Sequence, residues 1–211
     1  MKTEVTHYSL DLGAGDVRAG VVGEVEGADF PVVLPVQTHS CNVAVIEASG
    51  SIPTFDDTDA VICLRRGMVI GVRTADCVPV VMYAPDNSAT AAVHAGWKGS
   101  IGGIVTATLE RLALLGADLS QLKVAFGPSI CGRCYEVSEE LAMRFTEAGF
   151  GEAVSHRHVD LQKVNLLRLI RMGVRAENIA MSDVCTYETA TLPSWRRQSS
   201  SRRLLTWIEI I

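Results

Sequence analysis

The sequence lacks any apolar run approaching the length of a membrane span. Residues 1–5, Met1-Lys2-Thr3-Glu4-Val5, lack the apolar core of an export signal. The expectation is a cytoplasmic protein without a membrane partner. There is no basic excess: 19 Lys and Arg stand against 24 Asp and Glu, a net charge of −5, which argues against a general nucleic-acid binder. The composition is not that of a disordered chain either, with 48% hydrophobic and 20% charged residues. No linker-like stretch and no internal repeat interrupts residues 1–211, so the expectation is a single domain. Cysteine is not scarce, at six residues. A chain of this size with no sign of export needs no disulfide staples, so free thiols are expected, with at least one recruited for chemistry.

Several motifs are incomplete, and each gap narrows the chemistry. Cys131-Gly132-Arg133-Cys134 is a C-x-x-C pair with no second pair to complete a zinc ribbon, and its surroundings are not thioredoxin-like. The zinc-deaminase signature H-x-E with a distant P-C-x-x-C is missing: Ala95-Gly96 follows His94, and Ile130 precedes Cys131. One H-x-H occurs, His156-Arg157-His158, among five histidines in all. Four-copper oxidase chemistry is hard to build from so few.

What is present centres on residues 73–99. Cys77 and His94 each stand at the end of an apolar, strand-like run, and Pro79 or Gly96 breaks the chain soon after. His39 lies upstream, in Gln37-Thr38-His39-Ser40. Two histidines and a cysteine are a full catalytic zinc set with the fourth position open. The plain alternative is a small buried thiol and a structural histidine. Spacing alone leaves the two readings about even, because convincing zinc spacings are usually more compact. Asp59 and Asp76 are candidate acid–base carboxylates, Asp76 the better placed beside Cys77, with a loop cap as its plain role. Arg73, Lys98, Arg196 and Arg197 are candidate holders of phosphate or carboxylate. For Arg202 and Arg203 a solvated surface charge is the preferred reading.

The chain reads as α/β. Strands are expected near residues 8–12, 32–34, 43–46, 60–64, 68–72, 78–83, 89–93, 124–126, 179–184 and 204–211. Arg65-Arg66-Gly67 reads as the turn of a hairpin between two of them. Ile101, Ile104, Val105, Thr108, Leu109, Leu112 and Leu115 recur at helical spacing, with Ser100 as N-cap and Gly116 as stop. This helix would begin just past His94, where its N-terminus favours an anion. Ser138 and Asp160 cap two further helices, stopped near Gly149 and Gly173.

Taken in order, Gln37-Thr38-His39-Ser40, Asp57-Thr58-Asp59-Ala60, Thr74-Ala75-Asp76-Cys77-Val78-Pro79, His94-Ala95-Gly96-Trp97-Lys98-Gly99, Gly127-Pro128-Ser129-Ile130, Cys134-Tyr135-Glu136-Val137, Asp160-Leu161 with Asn165, Cys185-Thr186-Tyr187 and Ser194-Trp195-Arg196-Arg197 resemble the YfiH-like, laccase-domain family. That family is also called the polyphenol oxidase or purine nucleoside phosphorylase family. The resemblance covers roughly residues 35–205. It implies a single layered domain of mixed sheets flanked by helices, similar to the bacterial deamidase toxins. It implies His39, Cys77 and His94 as metal ligands, usually for zinc, with copper suggested by the older family name. It implies phosphorolysis of purine nucleosides and deamination of adenosine, or, in some bacterial members, editing of a cell-wall precursor. The partners would be small molecules: a nucleoside and phosphate, or that precursor. In this reading Asp76 carries a proton, and Arg73, Lys98 or Arg196 holds phosphate. An amide hydrolase with Cys77 as nucleophile and His94 as base is a second reading, and a degenerate metal-binding module a third. A monomer and a homodimer are both compatible with the sequence. Three departures stand out: a short region before the first histidine motif, Lys98 where arginine is usual, and Glu188 in place of the last cysteine of Cys-Thr-Tyr-Cys.

Overall fold

A computed structural model describes residues 7–23 and 30–211; the reading of residues 1–5 lies outside them. The architecture is three-layered. The central layer is a mixed six-stranded sheet built from β3 (Val43–Ile46), β4 (Ala60–Cys63), β6 (Val78–Ala84), β7 (Ala89–Ala95), β8 (Lys123–Phe126) and β11 (Ile179–Ala180). Its spatial order is β11-β8-β6-β7-β4-β3. A second sheet, ordered β1-β2-β12-β5, comprises β1 (His7–Ser9), β2 (Val17–Val22), β5 (Ile70–Thr74) and β12 (Leu204–Ile210). β9 (Val154–Ser155) and β10 (His158–Val159) form a separate short hairpin.

Strands β6 and β7 are buried along their whole length, because the central sheet is covered on both faces. Ala60, Ile62, Val80, Met82, Ala91 and Val93 point to the helices, where they meet Ile104, Leu109 and Leu112. Val61, Cys63, Val81, Tyr83 and Ala92 point the other way, onto Ile70, Val72, Ile208 and Ile210 of the second sheet. The period of two along each strand thus serves two cores at once.

The hairpin expected at Arg65-Arg66-Gly67 does not form. β4 pairs with β3 and β7, whereas β5 pairs with β12 in the other sheet. Arg65 is tied to the carbonyls of Glu47 and Gly50, and Arg66 to that of Ile211, so the connection arches from one layer to the next. Two consecutive apolar runs look alike whether they pair or are stacked. β2, at the centre of the second sheet, is not apparent from the sequence because Arg18, Ala19 and Gly20 interrupt its apolar pattern. The run expected at 32–34 is a single parallel bridge from Val33 to Ile70, and the strand expected at 179–184 is only two residues long.

The helical period at 101–115 is real, but the helix is broken. α1 (Trp97–Gly102) and α2 (Ile104–Leu114) are separated by Gly103 at φ 96°. Ser100 therefore lies inside α1 and caps nothing; Gly103 occupies the N-cap of α2. The break is held from outside by Arg168, whose Nε donates to the Ser100 carbonyl (2.9 Å) and Nη2 to that of Ile101 (2.7 Å). These are orphan acceptors at the end of α1. Arg168 belongs to α4 (Leu161–Arg171), whose Asp160 cap accepts from Lys163 N–H at 2.9 Å. α3 (Glu139–Phe145) is capped by Ser138, which accepts from Leu141 N–H. α5 (Trp195–Gln198) precedes β12. No helix among the described residues is long and apolar enough to cross a membrane.

Gly103→Ala forces a β-carbon into the left-handed region, and should destabilise the fold by about 1–2 kcal/mol. Chemical denaturation would show this as a lower midpoint with an unchanged slope.

Candidate metal centre

The centre is assembled from a strand end, a turn and a loop. His94 is the last residue but one of β7, the turn before β6 carries Cys77, and the loop ahead of β3 carries His39. One ligand atom from each lies within 4.8 Å of the others. Cys77 Sγ is 3.8 Å from His39 Nε2, and the two imidazole rings meet edge to face at 4.8 Å between centroids. A tetrahedral ion with bonds of about 2.0 Å to nitrogen and 2.3 Å to sulfur spaces such donors about 3.5 Å apart. The donor set and its spacing therefore fit a divalent metal.

Asp59 at the start of β4 organises the group. Its carboxylate is fully buried and accepts His94 Nδ1–H at 2.6 Å, leaving Nε2 for the ligand position. It also accepts the backbone N–H groups of Thr38, His39 and Ser40 and the Ser40 hydroxyl. Burial alone would raise the carboxyl's pKa, but these donors, led by His94, hold it well below the usual range. A carboxylate behind a histidine fixes tautomer and ring angle, the usual support for a metal-ligating imidazole. His39 pays for its place with a left-handed backbone, φ 65°, and Asp76 beside Cys77 is likewise at φ 84°. Non-glycine residues adopt this region rarely, and such strain gathers at functional sites.

The protonation states are coupled. Burial would raise the Cys77 thiol, yet hydrogen bonds from His39 and His94 bring it down to about 6. Burial would lower His94, yet Asp59 and Cys77 lift it to about 9. Both shifts run toward a thiolate beside an imidazolium, and ligation of a metal by these groups requires their deprotonated forms. Gly96 completes the geometry: a β-carbon there would lie 2.6 Å from His39 Cδ2 and 3.0 Å from Cys77 Sγ.

The triad forms the floor of a cleft of about 790 Å³, walled by Gln37, Arg73, Tyr135, Trp195, Arg196 and Arg203 among others. Arg73 is exposed at this wall, with no side-chain partner among the described residues; Gln37 brackets its backbone at 2.8 Å on both sides. Arg196 lies over Tyr135, 4.9 Å from the ring centroid, and donates to the Glu136 carbonyl. Lys98 is absent from the lining, and its Nζ sits 5.7 Å from the centre of the Trp97 ring. Asp76 borders the cleft, but its carboxylate accepts from Thr186 Oγ1 (2.7 Å), Ser194 Oγ (3.0 Å) and the Arg196 N–H (2.6 Å). Arg197 turns inward and donates to the carbonyls of Thr186, Tyr187 and Thr189. Arg203, read from sequence as surface charge, instead lines the cleft, with its guanidinium 5.9 Å from the centre of the Trp195 ring. Tyr135 and Trp195 were embedded in quoted motifs, but no spacing rule marks aromatics from distant segments as one wall. His156 and His158 join no ligand group among the described residues.

Asp59→Asn keeps the shape but loses the charge, and its amide NH2 must face either His94 Nδ1–H or the N–H groups of Thr38 and Ser40. Zinc affinity, read by competition with a chromophoric chelator, should fall about 10–100-fold.

Similar proteins share both sequence and fold. The chain is 36% identical over 221 aligned residues to a purine nucleoside phosphorylase of Streptomyces coelicolor, covering 97% of this chain and 89% of that one. It is 38% identical over 170 residues to an adenosine deaminase of an unknown prokaryotic organism, covering 74% of this chain and 65% of the relative. The chain thus spans just under two thirds of that deaminase. Among solved structures, YlmD of Geobacillus stearothermophilus superposes with a TM-score of 0.81 at 24% identity, covering 96% of each chain. YfiH of Bacillus licheniformis, described as a hypothetical protein, gives 0.82 at 21%, covering 96% of this chain and 99% of its own. The family model described as multi-copper polyphenol oxidoreductase laccase matches residues 17–210, and the chain belongs to that family.

Proposed function

We propose that this chain is a zinc-dependent enzyme of purine nucleosides, carrying out phosphorolysis, adenosine deamination or both. The observation that carries the reading is the convergence of His39, Cys77 and His94 beneath a cleft that also presents aromatic faces and arginines. The names of the Streptomyces phosphorylase and the prokaryotic deaminase support the substrate class. A volume of about 790 Å³ suits a nucleoside with phosphate, within the usual range for small-molecule sites. Zinc is favoured over a copper cluster because His39, Cys77 and His94 are donors enough for a single ion with one position left open, the form of a catalytic zinc site, and too few for several ions. His156 and His158 sit apart from it.

A zinc ion held by these three residues supplies Lewis-acid chemistry at its open position. The protein's own part is orientation and charge. Asp59 holds His94 in one tautomer. Arg73, Arg196 and Arg203 lie where a phosphate or the sugar hydroxyls would enter, and guanidinium forks suit phosphate oxygens. In phosphorolysis a phosphate oxygen bonds to the sugar anomeric carbon, and the bond to the base nitrogen breaks with its electron pair leaving on the base. In deamination water adds at the ring carbon bearing the amine, and ammonia leaves. Asp76 acts here as a positioning residue, because its carboxylate is occupied by the backbone of Arg196 and two hydroxyls. Lys98 has no part at the phosphate in this reading.

Cys77→Ala should lose the metal and at least about 100-fold in kcat/KM, more than loss of an outer-shell partner usually costs. Adenosine incubated with and without phosphate, followed by chromatography, separates adenine plus sugar phosphate from inosine. Absence of both products with metal-loaded wild-type protein would overturn the proposal.

One observation favours a second reading, an amide hydrolase on a cell-wall precursor. Cys77 Sγ lies 3.8 Å from His39 Nε2 and in one group with His94, and these imidazoles bring the thiol down to about 6, toward the thiolate of a nucleophile. Alkylation of the metal-free protein by iodoacetamide should then be half-maximal near pH 6, against about 8.5 for an ordinary cysteine. Only if amide-hydrolase activity also persists in chelator does this reading displace the first.

A further inference from the structure

A second group of ligand-type side chains lies apart from the triad. Cys131, Cys134, Cys185 and Glu188 each offer one ligand atom, all within 4.8 Å of one another. Cys134 Sγ lies 3.4 Å and Cys131 Sγ 4.0 Å from Glu188 Oε1. A tetrahedral ion with metal–sulfur bonds of about 2.3 Å has edges of about 3.8 Å, so the set needs little adjustment to close around one. The cysteines are free thiols.

The local sequence has the form such a site requires. Cys131 and Cys134 are separated by two residues, and so are Cys185 and Glu188. The first pair sits on a tight turn, with the N–H groups of Cys134 (3.0 Å) and Tyr135 (3.1 Å) donating to the Cys131 carbonyl. The Cys131 N–H donates in turn to Cys185 Sγ at 3.3 Å, an orientation that supports a thiolate. Four ligands from two short turns make the closed set of a structural site, in contrast to the three-ligand triad. Three thiolates and a carboxylate around a divalent ion carry an excess of two negative charges. Arg133, 3.2 Å from both Glu188 oxygens, offsets one of them from the solvent side.

We propose that Cys131, Cys134, Cys185 and Glu188 form a second, structural site for a thiophilic divalent cation such as zinc, which fastens the wall of the cleft. Glu188 thereby acquires a use: it is the oxygen ligand of a set whose other three members are sulfur. The two segments it joins already touch at a parallel bridge between Ser129 and Cys185, with the Thr186 N–H on the Ser129 carbonyl at 3.0 Å. One segment ends at Tyr135, and the other holds Asp76 through Thr186 and thereby the backbone of Arg196. An ion at this position pins both cleft-lining side chains without touching substrate.

The test is cobalt titration of metal-free protein, reading ions bound per chain and the thiolate-to-cobalt charge-transfer band. Wild type, His39→Ala and Glu188→Ala are compared, the two substitutions being at exposed positions that spare the core. Wild type should bind two ions. His39→Ala should keep one, with a band more intense per ion than a single thiolate bond produces, because three thiolates hold it. Glu188→Ala should weaken that ion at least tenfold, and Glu188→Cys should restore it with a stronger band. If wild type binds one ion with three-thiolate intensity, unaffected by His39→Ala, the structural site stands and the triad reading falls. If it binds one ion of single-thiolate intensity that His39→Ala abolishes, the structural site is overturned. A Cys131–Cys134 disulfide in protein purified under native conditions, found by peptide mapping, would also overturn it.

Discussion

The buried carboxylate of Asp59 is the constraint on which the centre depends. An anion with no exposure is tolerable only if donors surround it, and here they come from different parts of the chain: His94 at the end of β7 and the backbone of residues 38–40. The need to satisfy one charge therefore draws a loop and a strand end to the same point. Two of the three candidate ligands, His39 and His94, are placed by it. The backbone repeats the connection, since the His94 N–H donates to the Asp59 carbonyl at 2.8 Å.

Around that point the scaffold is stiff by construction. The strands carrying Asp59, Cys77 and His94 lie in, or lead into, a sheet sandwiched between helices and a second sheet, so neither face can relax toward water. Close-packed surroundings of this kind keep side chains in single rotamers. The strained backbones of His39 and Asp76 are held where hydrogen bonds over-determine them. The opposite wall is built differently, from the irregular segments around residues 127–136 and 182–203. These have little sheet to hold them, and they depend on side chains instead, Asp76 and Arg197 among them. The floor of the cleft is thus held by packing between layers, and its wall by side-chain hydrogen bonds.

Much of this was legible beforehand. The span of β3, the caps at Ser138 and Asp160 and the stops at Gly149 and Gly173 depend on local patterns, and local patterns can be read. The hairpin expected at Arg65–Gly67 failed because sandwiched strands and paired strands share the same apolar signature. The break at Gly103 has no local signature that shows it, because its cause, Arg168, lies far along the chain. Cys131 and Cys134 looked like half of a motif for the same reason, as the rest of their group is contributed from residues 185–188.

The sequence by itself determined the α/β alternation, the family and the identity of the residues bearing chemistry, because these follow from the period of apolar positions and from the order of short motifs. Only the tertiary structure decided which of those residues meet. It brought His39 to Cys77 and His94, turned the carboxylate of Asp76 to a loop and Arg197 to backbone carbonyls, left Lys98 outside the cleft lining and brought Arg203 into it. The physical reason is that a side chain's chemistry is intrinsic to its type, whereas its partners are set by packing and by the satisfaction of buried polar groups across segments far apart in the chain.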